Sequence, residues 1–276
     1  MSTPMDLHGA KALVTGASTG VGFATAVRLM QEGAHVVATV RKEADAAPLR
    51  EAGATAEILD VTDHAAGRAL VERVGPLDVL VNNAAYSYRS TFEHGDMEQI
   101  RAMFDVNFFG VIALTQAAIP AMRAQKRGAI VNISSVSGRV AVPLNGFYPA
   151  TKFALEAISE QMRAELRPFN IRVVLIEPGG IKTNFLPNMR LEPRTYDDPN
   201  GPYAKLADQL RPGEPRGAEP SVIADAVVRS LHDPAPGKFR WPATPDAVEQ
   251  MTVRDQMNDE QFEEWQTARS GLEWWA

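Results

Sequence analysis

Short β-branched apolar runs alternate with longer stretches of helical period along the first two thirds of the chain. The runs are Ala10–Thr15, His35–Thr39, Ala56–Asp60, Leu77–Asn82, Ala129–Ser134 and Ile171–Ile176. Each has the length of a strand, and the intervals between them have room for a helix. The runs are continuously apolar, which marks a sheet buried on both faces. Regular βα alternation implies parallel strands joined by right-handed crossovers. The pattern predicts an α/β fold: a doubly wound parallel sheet of about seven strands with helices on both faces.

After Ile176 the texture changes. The stretch 178–220 is rich in Pro, Gly, Asn and Arg and has no period. So long an irregular segment inside a compact domain reads as a functional lid or binding loop. We place this substrate loop at about 183–220, with no regular element in it. A helix resumes at S-V-I-A-D-A-V-V-R-S-L with Ser221 as its N-cap, and Lys238–Trp241 reads as a last short strand. The tail from Pro245 to Ala276 reads as one amphipathic helix ending in E-W-W-A. There is no repeat and no linker, so residues 1–276 read as one domain.

The totals narrow the chemistry. At 276 residues, with 45% apolar and 22% charged residues, the chain has ordinary globular composition. It has no cysteine, which excludes disulfides, thiolate nucleophiles and Cys-ligated metal. Its 28 basic and 34 acidic residues leave a net charge of −6, without the concentrated basic face of a nucleic-acid binder. The start, M-S-T-P-M-D-L-H-G, lacks a signal-peptide layout, and no apolar run approaches the ~18–20 residues of a membrane span. The expectation is a soluble, cytoplasmic protein. The five histidines are scattered and none pairs with carboxylates at ligand spacing, so no metal is expected.

The first strand runs into T-G-A-S-T-G-V-G, Thr15 to Gly22, and then into a helical pattern. Strand, glycine turn and helix form a phosphate cradle: glycines admit a pyrophosphate close to the backbone, and the helix N-terminus offers free N–H groups. A second feature is Y-P-A-T-K, Tyr148 to Lys152. Residues i and i+4 are neighbours on a helix, with Cβ atoms ~5–6 Å apart. A cation beside a phenol favours phenolate, so a lowered Tyr148 pKa is expected, suited to proton exchange with a substrate oxygen.

With G-x-x-x-G-x-G at Gly16, Gly20 and Gly22, and with Y-P-A-T-K, the chain resembles a short-chain dehydrogenase/reductase. Asn82–Ala85 (N-N-A-A), Asp105–Gly110 (D-V-N-F-F-G), Asn132–Gly138 and Pro178–Thr183 (P-G-G-I-K-T) agree with it over roughly residues 8 to 232. Ala85 departs from the family's usual glycine, and its methyl is expected to tighten the cofactor floor. The local look of A-T-V-R-K and Y-P-A-T-K-F-A-L-E is nearest the hydroxysteroid and retinol dehydrogenase branch. The resemblance implies a Rossmann-type domain that moves hydride between a nicotinamide and a C–OH/C=O carbon.

It also implies roles. Tyr148 matches the general acid/base, and Lys152 the residue that tunes it and bonds the nicotinamide ribose. Ser135 matches the serine that donates to the substrate oxygen, with Ser134 as its near competitor. Asn107 matches the asparagine that holds a water in the proton relay. The cofactor set is Gly16, Ser18, Thr19, Gly20, Val21 and Gly22 at the turn, Asp60 and Val61 by the adenine, and Asn83 and Ala84. Pro178, Gly179, Ile181 and Thr183 complete it. An acidic residue near the end of the second strand selects NAD by bonding the ribose 2′-OH. Val40 stands there instead, followed by Arg41 and Lys42, which suit a 2′-phosphate and are partly offset by Glu43. The expectation is NADP(H), with NAD(H) as the lesser partner.

Tyr86, Tyr88, Val142, Phe147, Phe185, Leu186 and Met189, together with Ser135, are the expected substrate contacts. They are mostly apolar or aromatic, which predicts a hydrophobic ketone or secondary alcohol as the small-molecule partner. A β-ketoacyl carrier would want a basic patch such as Arg123, Lys126 and Arg127, but these end a helix, where cations are favourable anyway. A sugar or polyol reductase on the same scaffold is a further alternative. A non-catalytic dinucleotide sensor would be expected to lose Tyr148, Lys152 or Ser135. An extended-type epimerase would carry a different glycine spacing. The resemblance also implies a homodimer or homotetramer built on the helices Asn107–Lys126 and Tyr148–Arg167, with Phe153, Ala154, Ala157, Ile158, Gln161 and Met162 as candidate contacts.

Overall fold

In a computed structural model that describes residues 4–234 and 238–275, the six apolar runs become six strands of one parallel sheet. These are β1 (Lys11–Val14), β2 (His35–Val40), β3 (Thr55–Ile58), β4 (Val79–Asn82), β6 (Gly128–Ile133) and β7 (Ile171–Glu177). A seventh, β9 (Arg240–Pro242), falls close to the predicted last strand. The order is β3-β2-β1-β4-β6-β7-β9, all parallel. Two residues each from β5 (Tyr88–Arg89) and β8 (Arg190–Leu191) make a separate small parallel sheet.

Neighbouring strand residues serve opposite cores, which is why the strands read as continuous apolar runs. Ala12, Val14, Val79 and Val81 pack with Leu29 of α1 (Gly20–Gln31) and Val227 of α9 (Pro220–His232). Leu13, Leu80 and Ile130 pack on the other face with Leu70 of α3 (His64–Val74), Leu114 of α5 (Gly110–Gln125) and Leu166 of α6 (Phe147–Leu166). Each buried Leu or Val contributes about 1.5–3 kcal/mol relative to exposure. The short α2 (Ala47–Glu51) links β2 to β3.

The order reverses at β1 and β4: the chain builds outward to β3, then returns to place β4 on the other side of β1. Ligands of such sheets gather in the crevice at the C-terminal strand ends of this switch point.

Several expectations are corrected. The helix predicted from Asn107 begins earlier: α4 (Met97–Phe104), a π-helical turn (Asp105–Phe109) and α5 run on as one rod. By length and composition, Met97–Gln125 is apolar enough to cross a bilayer, which the scan for apolar runs missed. In this fold its Met103, Val111, Leu114, Ala118 and Met122 are buried in the protein core. Helix α9 starts at Pro220 with Glu219 as N-cap, not at Ser221, because proline suits the first helical turn.

The segment 183–220 does hold regular elements: β8, α7 (Pro193–Tyr196) and α8 (Ala204–Gln209). They are too short to leave a period in the sequence. The tail is two helices, α10 (Pro245–Gln256) and α11 (Asp259–Ser270), split where Asn258 and Gln261 form a capping box. Ala276, the end of the predicted tail helix, and Met1–Thr3 lie outside the described residues.

Candidate active site

The glycine turn caps β1 and opens α1. Gly16 and Gly20 have φ of 64° and 60°, a conformation that favours glycine. A Cβ on Gly22 would lie 2.5 Å from both Asn83 Nδ2 and Gly16 O, so only glycine lets the turn close on the end of β4. Asn83 Nδ2 donates to Thr15 O at 2.8 Å and Gly16 O at 3.0 Å, while the N–H groups of Asn83 and Ala84 donate to Thr15 Oγ1. Thr19, the extended N-cap of α1, makes no capping bond with its side chain, and no acidic residue stands in the first turn. Ser18 and Val21 are half-buried beside it. The helix end therefore keeps its N–H groups and positive dipole for an anion.

Four separated segments converge next to this turn. Ser135 Oγ donates to Pro178 O at 3.4 Å and accepts from Ser137 N at 3.0 Å, and its hydroxyl stands near enough to the Tyr148 phenol to lower its pKa. Ser134, the competitor, is committed elsewhere: its Oγ donates to Glu156 Oε1 at 2.5 Å. Lys152 Nζ donates to Ile133 O at 2.8 Å and lies 5.7 Å from the Tyr148 ring centre. Asn107 sits in the π-helical turn, a feature frequent at functional sites. Its Oδ1 accepts from Tyr86 N at 3.1 Å, and its Nδ2 donates to Tyr86 O at 2.9 Å and Thr151 Oγ1 at 3.1 Å. Thr151 was missed as a partner although it stands inside Y-P-A-T-K.

The expected lowering of the Tyr148 pKa is overturned. Burial pushes the phenol up, and the Ser135 hydroxyl pulls it only partly back. The i+4 spacing gives proximity but says nothing of solvent. Lys152 is also buried, which brings it down to about 8 against the opposing pull of Glu156.

Arg41 and Lys42 are exposed just past β2, and no ion pair involves either among the described residues. Glu43, the expected offset, is engaged by Arg50 at 2.5 Å. Asp60, after β3, is exposed; burial raises it, but the Thr62 bonds and the field of Arg41 leave it below the usual carboxylate range. Val61 is buried against Gly110.

The P-G-G-I-K-T segment reaches back to the turn, since a Cβ on Gly20 would lie 3.2 Å from Thr183 Cγ2. It is clamped from behind by residues the sequence reading missed. Gly179 N donates to Thr244 Oγ1 at 2.9 Å and Gly180 N to Asp246 Oδ2 at 2.8 Å. Pro178 O accepts from Val136 N at 2.8 Å, and Ile181 bridges to Ala218.

Around Tyr148 lies a cluster of Tyr86, Tyr88, Ile100, Met103, Phe147 and Phe185, with the Phe185 ring 5.6 Å from that of Tyr148. Tyr88 departs from its expected role. Its hydroxyl donates to Glu192 Oε2 at 2.6 Å and accepts from Asp96 N, and burial with Glu192 pushes it up to about 12. It ties Glu192, in the 183–220 segment, to Asp96 at the start of α4. Val142 departs too: it lines a depression under α11 with Phe153 and Phe262, not the Tyr148 cluster. Leu186 and Met189 are half-buried in the turn after Phe185. The Tyr86 hydroxyl is buried without a hydrogen-bond partner among the described residues, and Arg190 lies 4.7 Å from the ring centre.

The cradle that a Cβ would fill and the free helix end fit a dinucleotide. The model of the short chain dehydrogenase family matches residues 10–193. The chain is 34% identical over 224 residues to a 3-ketodihydrosphingosine reductase of Bacteroides thetaiotaomicron, covering 79% of this chain and 81% of that protein. Among solved structures it is similar to a short-chain dehydrogenase from Streptomyces avermitilis, at a TM-score of 0.81 and 32% identity over 96% of this chain and 98% of that one. It is also similar to a metagenomic short-chain oxidoreductase in complex with NADP, at 0.67 and 30% over 86% and 98%. The chain belongs to the short-chain dehydrogenase family. It is accordingly an NAD(P)-dependent oxidoreductase acting on CH–OH/C=O groups.

Proposed function

We propose that the chain is an NADP(H)-dependent reductase of hydrophobic ketones that also oxidises the matching secondary alcohols, with Tyr148 as general acid and base. The observation that carries this reading is the convergence of Tyr148, Ser135, Lys152 and Asn107 beside the glycine turn. When bound, the nicotinamide supplies or accepts the hydride.

Gly16, Gly20, Gly22 and the N-terminus of α1 hold the pyrophosphate, with Ser18, Thr19 and Val21 around it. Arg41 and Lys42, left free by the Glu43–Arg50 pair, take the 2′-phosphate. Asp60 and Val61 flank the adenine; Asn83 and Ala84 floor the site; Pro178, Gly179, Ile181 and Thr183 close it over the nicotinamide end. The NADP-bound relative supports this choice of cofactor.

Ser135 donates to the substrate oxygen, and Tyr148 gives that oxygen its proton. Burial keeps the phenol protonated, the form that donates to a carbonyl oxygen. Lys152 lends positive charge behind the phenol and bonds the ribose. The Asn107 carboxamide is occupied by Tyr86 and Thr151, which leaves a relay water to the main chain of the π-helical turn.

Phe147, Phe185 and the Tyr86 ring give the pocket its apolar character, and the reductase name of the 34% identical relative agrees with a keto substrate. The basic patch that a carrier-bound substrate would use is partly spent: Arg127 pairs with Asp78 at 3.1 Å and Arg123 lies over Phe169. A panel of ketones and alcohols, followed by nicotinamide absorbance with each cofactor, tests the reading. Apolar ketones should be reduced with NADPH at least ~10-fold better than with NADH, about 1.4 kcal/mol of discrimination. Turnover confined to polyols, or a preference for NADH, contradicts it.

A further inference from the structure

Four residues far apart in the chain meet behind the Ser134–Ser135 dipeptide. Glu156, one turn after Lys152 on α6, accepts from Ser134 Oγ at 2.5 Å through Oε1 and from Arg240 Nε at 3.0 Å through Oε2. Arg240, in β9, continues to Glu160 at 2.6 Å. Glu177, the last residue of β7, is fully buried. Its Oε1 lies 3.6 Å from Arg240 Nε, and neither of its oxygens has a hydrogen-bond partner among the described residues. Gly138 closes the near side, where a Cβ would sit 2.7 Å from Ser134 Oγ and 2.9 Å from Glu156 Oε1.

Two buried carboxyl groups that share the Arg240 guanidinium do not both ionise. Glu156 has two donors and Glu177 has none, so Glu156 carries the charge and Glu177 the proton. Burial and the neighbouring Glu156 push Glu177 up to about 8. Burial also raises Glu156, while Ser134, Arg240 and Arg139 pull it back.

We propose that Glu156 is a positioning residue for the reaction at Tyr148: its charge keeps Lys152 protonated one turn away, and its bond to Ser134 fixes the dipeptide that presents Ser135. This rests on the reading of Tyr148 and Lys152 as the proton-handling pair. The charged groups facing Glu156 are Lys152 and Glu160 on its own helix, Arg139 after the serines, Glu177 from β7 and Arg240 from β9. Asp255 of α10 acts through its pair with Arg139. Farther along the same depression, Arg254 and Asp259 pair with each other.

The sign follows from burial. Lys152 is already depressed, and Glu156 is the carboxylate that opposes the depression. Glu156→Gln removes that opposition and keeps an oxygen for Ser134. The alkaline limb of kcat/KM for ketone reduction should move down by roughly one pH unit, a loss of about five-fold at pH 8 with little change at pH 6. Arg240→Gln should move it the same way, because Glu156 without its counter-ion takes up a proton.

The experiment is the pH profile from 6 to 10 for the wild type and both variants, with melting temperatures alongside. A limb that stays in place in the folded variants overturns the proposal, even if overall activity falls. If Glu156→Gln does not fold, Arg240→Gln decides. Full turnover by Tyr148→Phe would remove both this proposal and the site reading beneath it, whereas a fixed limb removes the role of Glu156 alone.

Discussion

The ammonium of Lys152 donates to the main-chain carbonyl of Ile133 at 2.8 Å, which joins α6 to the last residue of β6. Ser134 and Ser135 continue directly from that strand, so this bond sets the spacing between the helix that carries Tyr148 and the segment that carries Ser135. A buried carbonyl left without its donor costs about 1–3 kcal/mol. The lysine is therefore part of the frame as well as of the chemistry.

Glu177 gives a stability signature of definite sign. In the unfolded chain a glutamate loses its proton near ~4.3. Folded Glu177 keeps it up to about 8. Its raised pKa favours the fold fully at low pH, and that contribution is lost as pH rises through about 8. Glu177→Gln does not titrate, so its melting temperature relative to wild type should climb between pH 5 and pH 9. At roughly 2–4 °C per kcal/mol the gap should widen by several degrees. Thermal melts across that range check it, and a constant gap contradicts it.

Cofactor choice should follow charge at the end of β2. Val40→Asp with Arg41→Ala introduces a carboxylate that bonds a 2′-OH and repels a 2′-phosphate. The ratio of NADPH to NADH affinity should fall by about 10²-fold, roughly 2.7 kcal/mol. Titration of each cofactor against intrinsic fluorescence reads it. A wild type that binds NADH more tightly removes the premise.

The 183–220 segment is held by the tail, and its expected role as a lid can be tested there. Gln209 Nε2 donates to Ser270 O and Gly271 O, Trp274 Nε1 donates to Gln209 Oε1, and Lys205 Nζ lies 3.6 Å from the Trp274 ring centre. Amides of residues 185–212 should exchange more slowly when NADPH and a substrate analogue bind, as expected of a closing lid. Deleting the chain from Gly271 onward should speed exchange in α8 at least several-fold. Unchanged exchange in the ternary complex would leave the segment as a rigid excursion.

Phe109, in the π-helical turn that leads into α5, and Phe153, on α6, are 44% and 45% exposed on the two helices expected at a two-fold interface. Ala157 and Gln161 are exposed as well, and Ala154, Ile158 and Met162 are half-buried. Light scattering at micromolar concentration should give a multiple of the 30.1 kDa chain. A monomer mass contradicts the assembly.

The sheet was legible because its strands are buried on both faces, so Leu13, Leu80 and Ile130 could be read without knowing their partners. The glycine turn and Y-P-A-T-K were legible because each is a local pattern with a local cause. Pairings across distance were not. Nothing in sequence brings Glu156 to Arg240 or Thr244 to Gly179, and β5 pairs with β8 across a hundred residues using two residues each. The Tyr148 pKa was misjudged for the same reason: spacing along a helix gives the neighbour, while burial comes from the whole fold.

Tyr148→Phe removes one oxygen from a buried site and leaves the frame at Lys152 and Ile133 intact. Steady-state reduction of an apolar ketone by this variant, with NADPH binding measured separately, tests the central claim most directly. Turnover should fall at least ~10²-fold, the scale of lost general acid catalysis, while the cofactor Kd stays within about two-fold. Turnover within a few-fold of wild type would mean that another group delivers the proton, and would contradict the assignment of Tyr148.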